Sequence, residues 1–107
     1  MQTPSKQQTV LIVADASGLG KAGQEASRLK RDGFHVVALL SDKGAEKQVG
    51  ADEVLTGDPQ TLLKNYIDAC EKSTHTTYPE RIYLCTERKL AGAIGSLLSG
   101  YPVKVIA

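Results

Sequence analysis

Small and polar residues that could hold a phosphate group follow the first apolar segment of the chain. The sequence there runs from Asp15 through Ser17 and Gly18 to Gly20. A helix that begins in such a stretch offers unpaired backbone N–H groups and the positive end of its dipole, and both favour an anion. We therefore regard Asp15, Ser17, Gly18 and Gly20 as candidate cofactor-binding residues.

The glycines of this stretch allow two interpretations. Gly18 and Gly20, followed by Gly23, resemble the G-x-G-x-x-G fingerprint of dinucleotide-binding turns, with Ala16 and Ser17 ahead of them. A tight turn between a strand and a helix also favours glycine for steric reasons alone. The glycines by themselves do not separate phosphate binding from a structural role.

Two further candidate contacts come from later in the chain. Asp42 follows the second apolar segment, about 20 residues beyond the glycines, where dinucleotide enzymes keep the acid that binds the ribose. Thr86 and Arg88 supply a hydroxyl and a cation at the start of a predicted helix, and both groups suit a phosphate or ribose. The alternatives are a solvated helix cap for Asp42 and an exposed, charged first turn for Thr86 and Arg88.

Other reactive residue types form no catalytic or metal-binding pattern. His35 begins an apolar segment and His75 lies in a polar one, and neither has a recognisable catalytic spacing. Cys70 and Cys85 are the only cysteines. They form no C-x-x-C pair, and without nearby histidines they cannot complete a four-ligand zinc site. We expect both to be small core residues, and the sequence leaves open whether the chain is an enzyme.

Apolar segments typical of β-strands alternate with amphipathic segments typical of helices. Continuous apolar, β-branched runs predict strands at Thr9–Ala14, His35–Leu40, Glu53–Thr56, Arg81–Thr86 and Val103–Ala107. Apolar residues at three- and four-residue spacing predict helices over Lys21–Arg31, Ala45–Val49, Pro59 to Cys70 and Leu90–Leu98. Asp58 followed by Pro59 is a typical helix start.

This alternation predicts one three-layer α/β domain of the Rossmann-like kind. Each connection between strands is long enough to be a crossover, so we expect a five-stranded, mainly parallel sheet with helices on both faces. The domain spans residues 9–107, behind a flexible leader at residues 1–8. In such sheets, ligands bind beyond the carboxyl ends of the strands where the strand order reverses. The loops after the first and fourth strands are the expected site.

Composition narrows the classes of partner. A hydrophobic fraction of 41% and a charged fraction of 23% are ordinary for a globular domain, and a net charge of +1 with scattered charges gives no basic patch. We expect neither nucleic acid nor a membrane as partner. The polar start of the chain lacks the apolar run of a signal peptide, which predicts a cytoplasmic or equivalent soluble compartment.

The order of segments resembles the N-terminal domain of electron transfer flavoprotein subunits, the alpha subunit especially. The likeness rests on residues 10–15, on the Gly-Ala-Asp segment at 50–52 before the third strand, and on 79–84 with Thr86 and Arg88 after them. In that family this domain is mainly scaffold and partner surface, and a separate C-terminal domain holds most of the flavin. The resemblance implies an adenine nucleotide, AMP or FAD, and a protein partner or a further C-terminal domain.

A second resemblance is to the cofactor domain of medium-chain dehydrogenases and quinone reductases. There the segments at residues 16–20 and 50–54 also occur in sequence. It implies NAD(P) as the cofactor and a separate catalytic domain. Structural subdomains of polyketide ketoreductases are a fainter likeness. A non-catalytic interaction domain is the remaining alternative.

Overall fold

The computed structural model of the protein describes residues 8–41, 44, 49–72, 79–101 and 103–106. Within them, the strands are β1 Thr9–Ala14, β2 His35–Leu40, β3 Glu53–Thr56, β4 Arg81–Cys85 and β5 Lys104–Ile106. The helices are α1 Leu19–Arg31, α2 Pro59–Lys72 and α3 Arg88–Leu98, and a single turn of 3₁₀ helix, Ala16–Gly18, precedes α1.

The strands form one five-stranded sheet in the order β3-β2-β1-β4-β5. Every pair is parallel, with Val10 opposite Val36 on one side and opposite Arg81 on the other. The chain builds the sheet outward from β1 in one direction as far as β3. It then returns through α2 to place β4 on the other side of β1. The strand order therefore reverses between β1 and β4.

Alternate residues of β1 point into two separate cores because successive side chains of a strand face opposite ways. Val10 and Ile12 pack in the core beneath α1, with Ala22, Ala26 and Leu29. Leu11 and Val13 pack in the core beneath α2 and α3, with Leu63, Ile67, Ile94 and Leu98. Helices thus lie on both faces of the sheet, which explains the uninterrupted apolar sequence of β1.

These observations confirm the predicted α/β Rossmann-like class, the parallel sheet and the three layers. Cys70 and Cys85 are both buried, as predicted for core residues. Asp58 caps α2 by accepting hydrogen bonds from the backbone N–H and the hydroxyl of Thr61, at 3.0 and 2.9 Å. The predicted helix at residues 45–49 falls largely outside the described residues.

Several boundaries differ from the prediction. Helix α2 ends at Lys72 rather than Cys70, α3 begins at Arg88 rather than Leu90, and β5 begins at Lys104 rather than Val103. Two further differences concern the first helix and the fourth strand. The first helix begins at Leu19 rather than Lys21, because the preceding 3₁₀ turn leads directly into it. The fourth strand ends at Cys85 rather than Thr86. Both of these differences lie at the carboxyl ends of strands, where turn geometry rather than apolar periodicity sets the boundary.

None of the helices within the described residues has the length and apolar character needed to cross a membrane.

Candidate functional site

A cleft opens where the strand order reverses, beyond the carboxyl ends of β1 and β4. Its volume is about 480 Å³, and small-molecule sites typically measure roughly 300–1,000 Å³. The residues around it come from the 3₁₀ turn, α1, β4, the loop after β4 and α3: Ser17, Gly18, Lys21, Leu84, Cys85, Thr86, Arg88 and Ala91. The topology thus puts the cleft at the position where parallel α/β sheets bind ligands.

Asp15 ties together the two loops at the base of this cleft. One carboxylate oxygen accepts hydrogen bonds from the backbone N–H and the hydroxyl of Ser17, at 3.0 and 2.6 Å. The other accepts a hydrogen bond from the backbone N–H of Glu87 at 3.0 Å. Burial alone would raise the pKa of Asp15, but the hydrogen bonds from Ser17, Glu87 and Gly18 outweigh it and lower that pKa below the usual 3.8. Asp15 therefore remains ionised at neutral pH and fixes the loop after β4.

Gly18 lies directly against the end of β4. A Cβ atom on this glycine would stand 1.7 Å from the carbonyl oxygen of Cys85 and 2.4 Å from its carbonyl carbon. The backbone angles of Gly18, φ −113° and ψ 10°, are open to other residues, so close approach and not conformation requires glycine here. This contact sets the distance between the first turn and β4, and so the width of the cleft.

The N-termini of α1 and α3 lie at the cleft, and both carry cations in their first turns. Lys21 lies in the first turn of α1, and Arg88 and Lys89 begin α3, where helices ordinarily favour acids. Neither first turn contains an acid, and neither helix has a side-chain cap hydrogen bond among the described residues. Two carboxylates lie just before these turns: Glu87 is the N-cap residue of α3, and Asp15 caps the 3₁₀ turn that precedes α1. Cations next to the positive end of a helix dipole are unfavourable unless an anion lies nearby. The charged side chains that line the cleft itself are Lys21 and Arg88, and this suits the cleft to a negatively charged group.

The structure brings four of the predicted site residues together in the cleft and places Gly20 outside it. Ser17, Gly18, Thr86 and Arg88 line the cleft, and Asp15 lies beneath it. Gly20 contributes instead to a shallow depression on the outer side of α1, and a Cβ there would meet no atom within 4 Å. Asp42 lies outside the described residues.

Sequence reasoning did not identify Lys21 and Cys85 as parts of the site. Lys21 projects from α1 into the cleft, and Cys85 closes it from the end of β4. Burial raises the pKa of the Cys85 thiol, so the thiol stays protonated at neutral pH and is a poor nucleophile. The position of Lys21 in the first turn of a helix after a glycine-rich segment was the signal that could have revealed it.

His35 also has a partner that its spacing did not predict. Its Nε2 atom lies 2.9 Å from a carboxylate oxygen of Glu53, at the amino ends of β2 and β3 and far from the cleft. Neighbouring parallel strands bring the two residues together. Among the described residues, no group of three or more His, Cys, Asp or Glu could hold a metal ion.

Replacing Asp15 with Asn should destabilise the protein by about 1–2 kcal/mol, because an amide N–H₂ cannot accept a hydrogen bond from Glu87. The effect should depend on pH. A carboxyl whose pKa is lowered by folding stabilises the fold above its unfolded pKa, and loses that contribution as the pH falls through its folded pKa. Urea unfolding at neutral pH should therefore separate the variant from wild type, and the gap should close in acid below the folded pKa.

Asp32→Asn, an exposed change at the C-cap of α1, is the control. It removes an acid from the negative end of a helix, so stability should be unchanged or higher by up to about 1 kcal/mol. Equal losses from the two variants at neutral pH would show that the carboxylate of Asp15 does not join the loops.

The chain matches no protein-family model and no curated protein sequence. The fold and the cleft together define a Rossmann-like α/β domain with a cationic cleft at the strand-order reversal.

Proposed function

We propose that the chain is a nucleotide-binding domain whose cleft holds the phosphate of an adenine nucleotide, AMP or the AMP portion of FAD. The observation that carries the proposal is that the N-terminal turns of α1 and α3 meet at the strand-order reversal, where Lys21 and Arg88 line the cleft. The hydroxyls of Ser17 and Thr86 line the same cleft. Their protons are donated to the carboxylate of Asp15 and to the carbonyl oxygen of Glu87, so their oxygens can accept hydrogen bonds from the ribose hydroxyls.

Asp15 limits how the phosphate can be held. The backbone N–H groups of Ser17 and Glu87 already donate to its carboxylate. A bound phosphate would therefore rely on the first-turn N–H groups of α1 and α3 and on the two cations, and would lie on the outer side of Asp15. An anion there would also offset the unfavourable placement of Arg88 and Lys89.

The role within a larger process follows from the resemblance to electron transfer flavoproteins. By that likeness, the domain acts as a cofactor-binding or scaffold module in electron transfer, and a protein partner or a further domain supplies the rest of the flavin site. The proposal assigns no catalytic residue to this chain. Among the residues that line the cleft, the Cys85 thiol is protonated, and the remaining nucleophile types are two hydroxyls and the amine of Lys21.

An NAD(P)-binding domain of a dehydrogenase or reductase is the second candidate, and the glycines favour it. Gly18, Gly20 and Gly23 have the G-x-G-x-x-G spacing, directly after β1 and at the start of α1. The second glycine of that fingerprint lets the pyrophosphate approach the backbone. The Cβ position of Gly20 is open, but on the outer side of α1 and not in the cleft, so the glycine spacing alone supports this second candidate.

Thermal unfolding with saturating AMP, ADP, FAD, NAD or NADP tests these proposals. A ligand at about 100 times its dissociation constant adds about 2.7 kcal/mol of stability, which for a domain of this size raises Tm by roughly 10 °C or more. A shift with AMP or ADP supports the adenine-nucleotide proposal. A shift that requires NAD or NADP supports the second candidate, and no shift with any of them contradicts both.

Arg88→Gln should remove most of that ligand-induced shift. Without ligand, the same change should raise stability by about 0.3–1 kcal/mol, because it removes a cation from the positive end of α3. Lys64→Gln, an exposed change on α2, should alter neither quantity. If Arg88→Gln keeps the full shift, the ligand binds elsewhere. A variant that loses stability without ligand would show that Arg88 has a structural role.

A further inference from the structure

A second groove runs along the α1 face of the sheet, over β4 and β5. Its volume is about 280 Å³, and α1 forms one wall with Lys21, Glu25 and Arg28. The floor is Tyr83 and Cys85 from β4, together with Ile106 from β5. Among the described helices, α2 and α3 pack on the opposite face, so α1 is the one helix of the described chain on this side.

The edge of the sheet at β5 is incompletely covered on this face, whereas Tyr83 and Cys85 of β4 are buried. Parallel sheets are usually buried on both faces, because their strands are apolar on both. On this side Ile106 is half-buried, although Tyr83, which pairs with it in the sheet, is only 6% exposed. This incompletely covered surface lies beside α1 and runs parallel to β5. In α/β domains a crossover helix usually occupies this position.

The rim of the groove is rich in cations. Arg81 in β4 and Lys104 in β5 lie opposite each other in the strand register, on the same face of the sheet as Tyr83 and Ile106. Arg81 donates a hydrogen bond to the hydroxyl of Tyr83 at 2.9 Å, stands over the ring of Phe34 and reaches Glu80 at 4.0 Å. These contacts hold its charge at the rim.

Glu25, the acidic residue among those that line the groove, already forms an ion pair with Arg28. Glu25 accepts hydrogen bonds from two nitrogens of Arg28, at 3.2 and 2.7 Å. Within the part of the chain that the structure describes, Lys21 and Lys104 form no ion pair. The groove thus combines an apolar floor with an excess of positive charge on its walls.

We propose that this groove docks an amphipathic helix of a partner protein, with apolar residues on one face and Asp or Glu along its flanks. Apolar side chains of that helix would cover Ile106, the half-buried residue of the floor, and its carboxylates would meet Lys104, Lys21 and Arg81. This goes beyond nucleotide binding and does not depend on it.

Charge complementarity argues against a second copy of this chain as the occupant. α1 carries Lys21, Arg28, Lys30 and Arg31 against one acid, and α3 carries two cations and no acid. α2 has equal numbers of acids and bases. None of the described helices is acidic, so each would meet the cationic rim without a favourable charge.

The test uses a fluorescent synthetic helical peptide of about four turns, with Leu at helical spacing on one face and Glu on both flanks. A matched peptide carries Lys in place of each Glu. We expect the acidic peptide to bind in an anisotropy titration, with affinity that falls as salt rises, and the Lys peptide to bind at least tenfold more weakly. In amide NMR spectra the acidic peptide should shift the signals of Tyr83, Lys104 and Ile106.

Lys104→Glu should weaken the acidic peptide about fivefold, because it turns an attraction at the rim into a repulsion. Lys64→Glu on α2 is the matched control and should leave the affinity unchanged. Lys104 is exposed on an edge strand, so thermal unfolding should confirm that the variant is folded. Equal binding of both peptides, unchanged affinity in Lys104→Glu, no binding of the acidic peptide, or groove signals that shift with protein concentration alone would overturn the proposal.

Discussion

Gly18→Ala should lower the stability of the domain by about 2–4 kcal/mol and its Tm by roughly 10–20 °C. The new Cβ would stand 1.7 Å from the carbonyl oxygen of Cys85, a backbone atom that no side-chain rotation can move away. Relief requires the first turn to separate from β4. That movement would strain the hydrogen bond from Glu87 to Asp15 and the contact of the two central strands at their carboxyl ends.

Gly20→Ala, two residues further on, is the control for this prediction. Its Cβ would meet no atom within 4 Å, and alanine is the better helix former, so stability should be unchanged or higher by up to about 1 kcal/mol. Circular dichroism melting curves measure the Tm of both variants, and Gly18→Ala should melt at the lower temperature. Similar Tm values for the two would mean that Gly18 does not pack against Cys85.

This pair of variants also separates two explanations of the glycine-rich turn. A glycine that is required for packing cannot accept a Cβ without loss of stability, whether or not ligand is present. A glycine that leaves room for a phosphate tolerates the Cβ in the free protein and loses ligand affinity. Gly18 belongs to the first kind by its contact with Cys85. Gly20 is sterically able to belong to the second.

The fold was predictable because it depends on local patterns. Strands buried on both faces read as unbroken apolar runs, as in Thr9–Ala14 and His35–Leu40, and the stripe through Leu63 and Ile67 has helical spacing. The pattern carries less information at the ends of elements. At Ala16–Gly18 a side-chain hydrogen bond from Ser17 to Asp15 stabilises a 3₁₀ turn that apolar spacing does not report.

The candidate site was only partly predictable because it depends on contacts between distant parts of the chain. Residue type and position after a strand were enough to select Ser17, Thr86 and Arg88. The bond from Glu87 to Asp15 joins residues 72 positions apart, and no local pattern encodes it. Asp15 was therefore predicted as a ligand contact, whereas its carboxylate binds the protein's own backbone. Cys85 could not be assigned to the cleft from the sequence for the same reason, because its position there depends on the pairing of β4 with β1.

Leu11→Ala should be the most destabilising of the substitutions considered, at about 3–5 kcal/mol. Leu11 lies in β1, the central strand, and is 0% exposed. It packs in the core beneath α2 and α3 with Leu63, Ile67 and Ile82. Truncation removes apolar contacts and leaves a cavity that a hydrogen-bonded strand between two neighbours cannot collapse to fill. Domains are typically stable by only about 5–15 kcal/mol, so the loss is a large share of the total.

Urea unfolding of Leu11→Ala and of the matched variant Leu55→Ala measures this difference. Leu55 lies on edge strand β3 and is 42% exposed, so its truncation should cost about 1 kcal/mol or less. If Leu11→Ala does not fold, Leu11→Val removes one methylene from the same place and should cost roughly 0.5–1.5 kcal/mol. Equal losses at positions 11 and 55 would contradict a core centred on β1. Because β1 also leads into the turn that carries Asp15 and Gly18, a domain that keeps part of its fold in Leu11→Ala should still lose the geometry of the cleft.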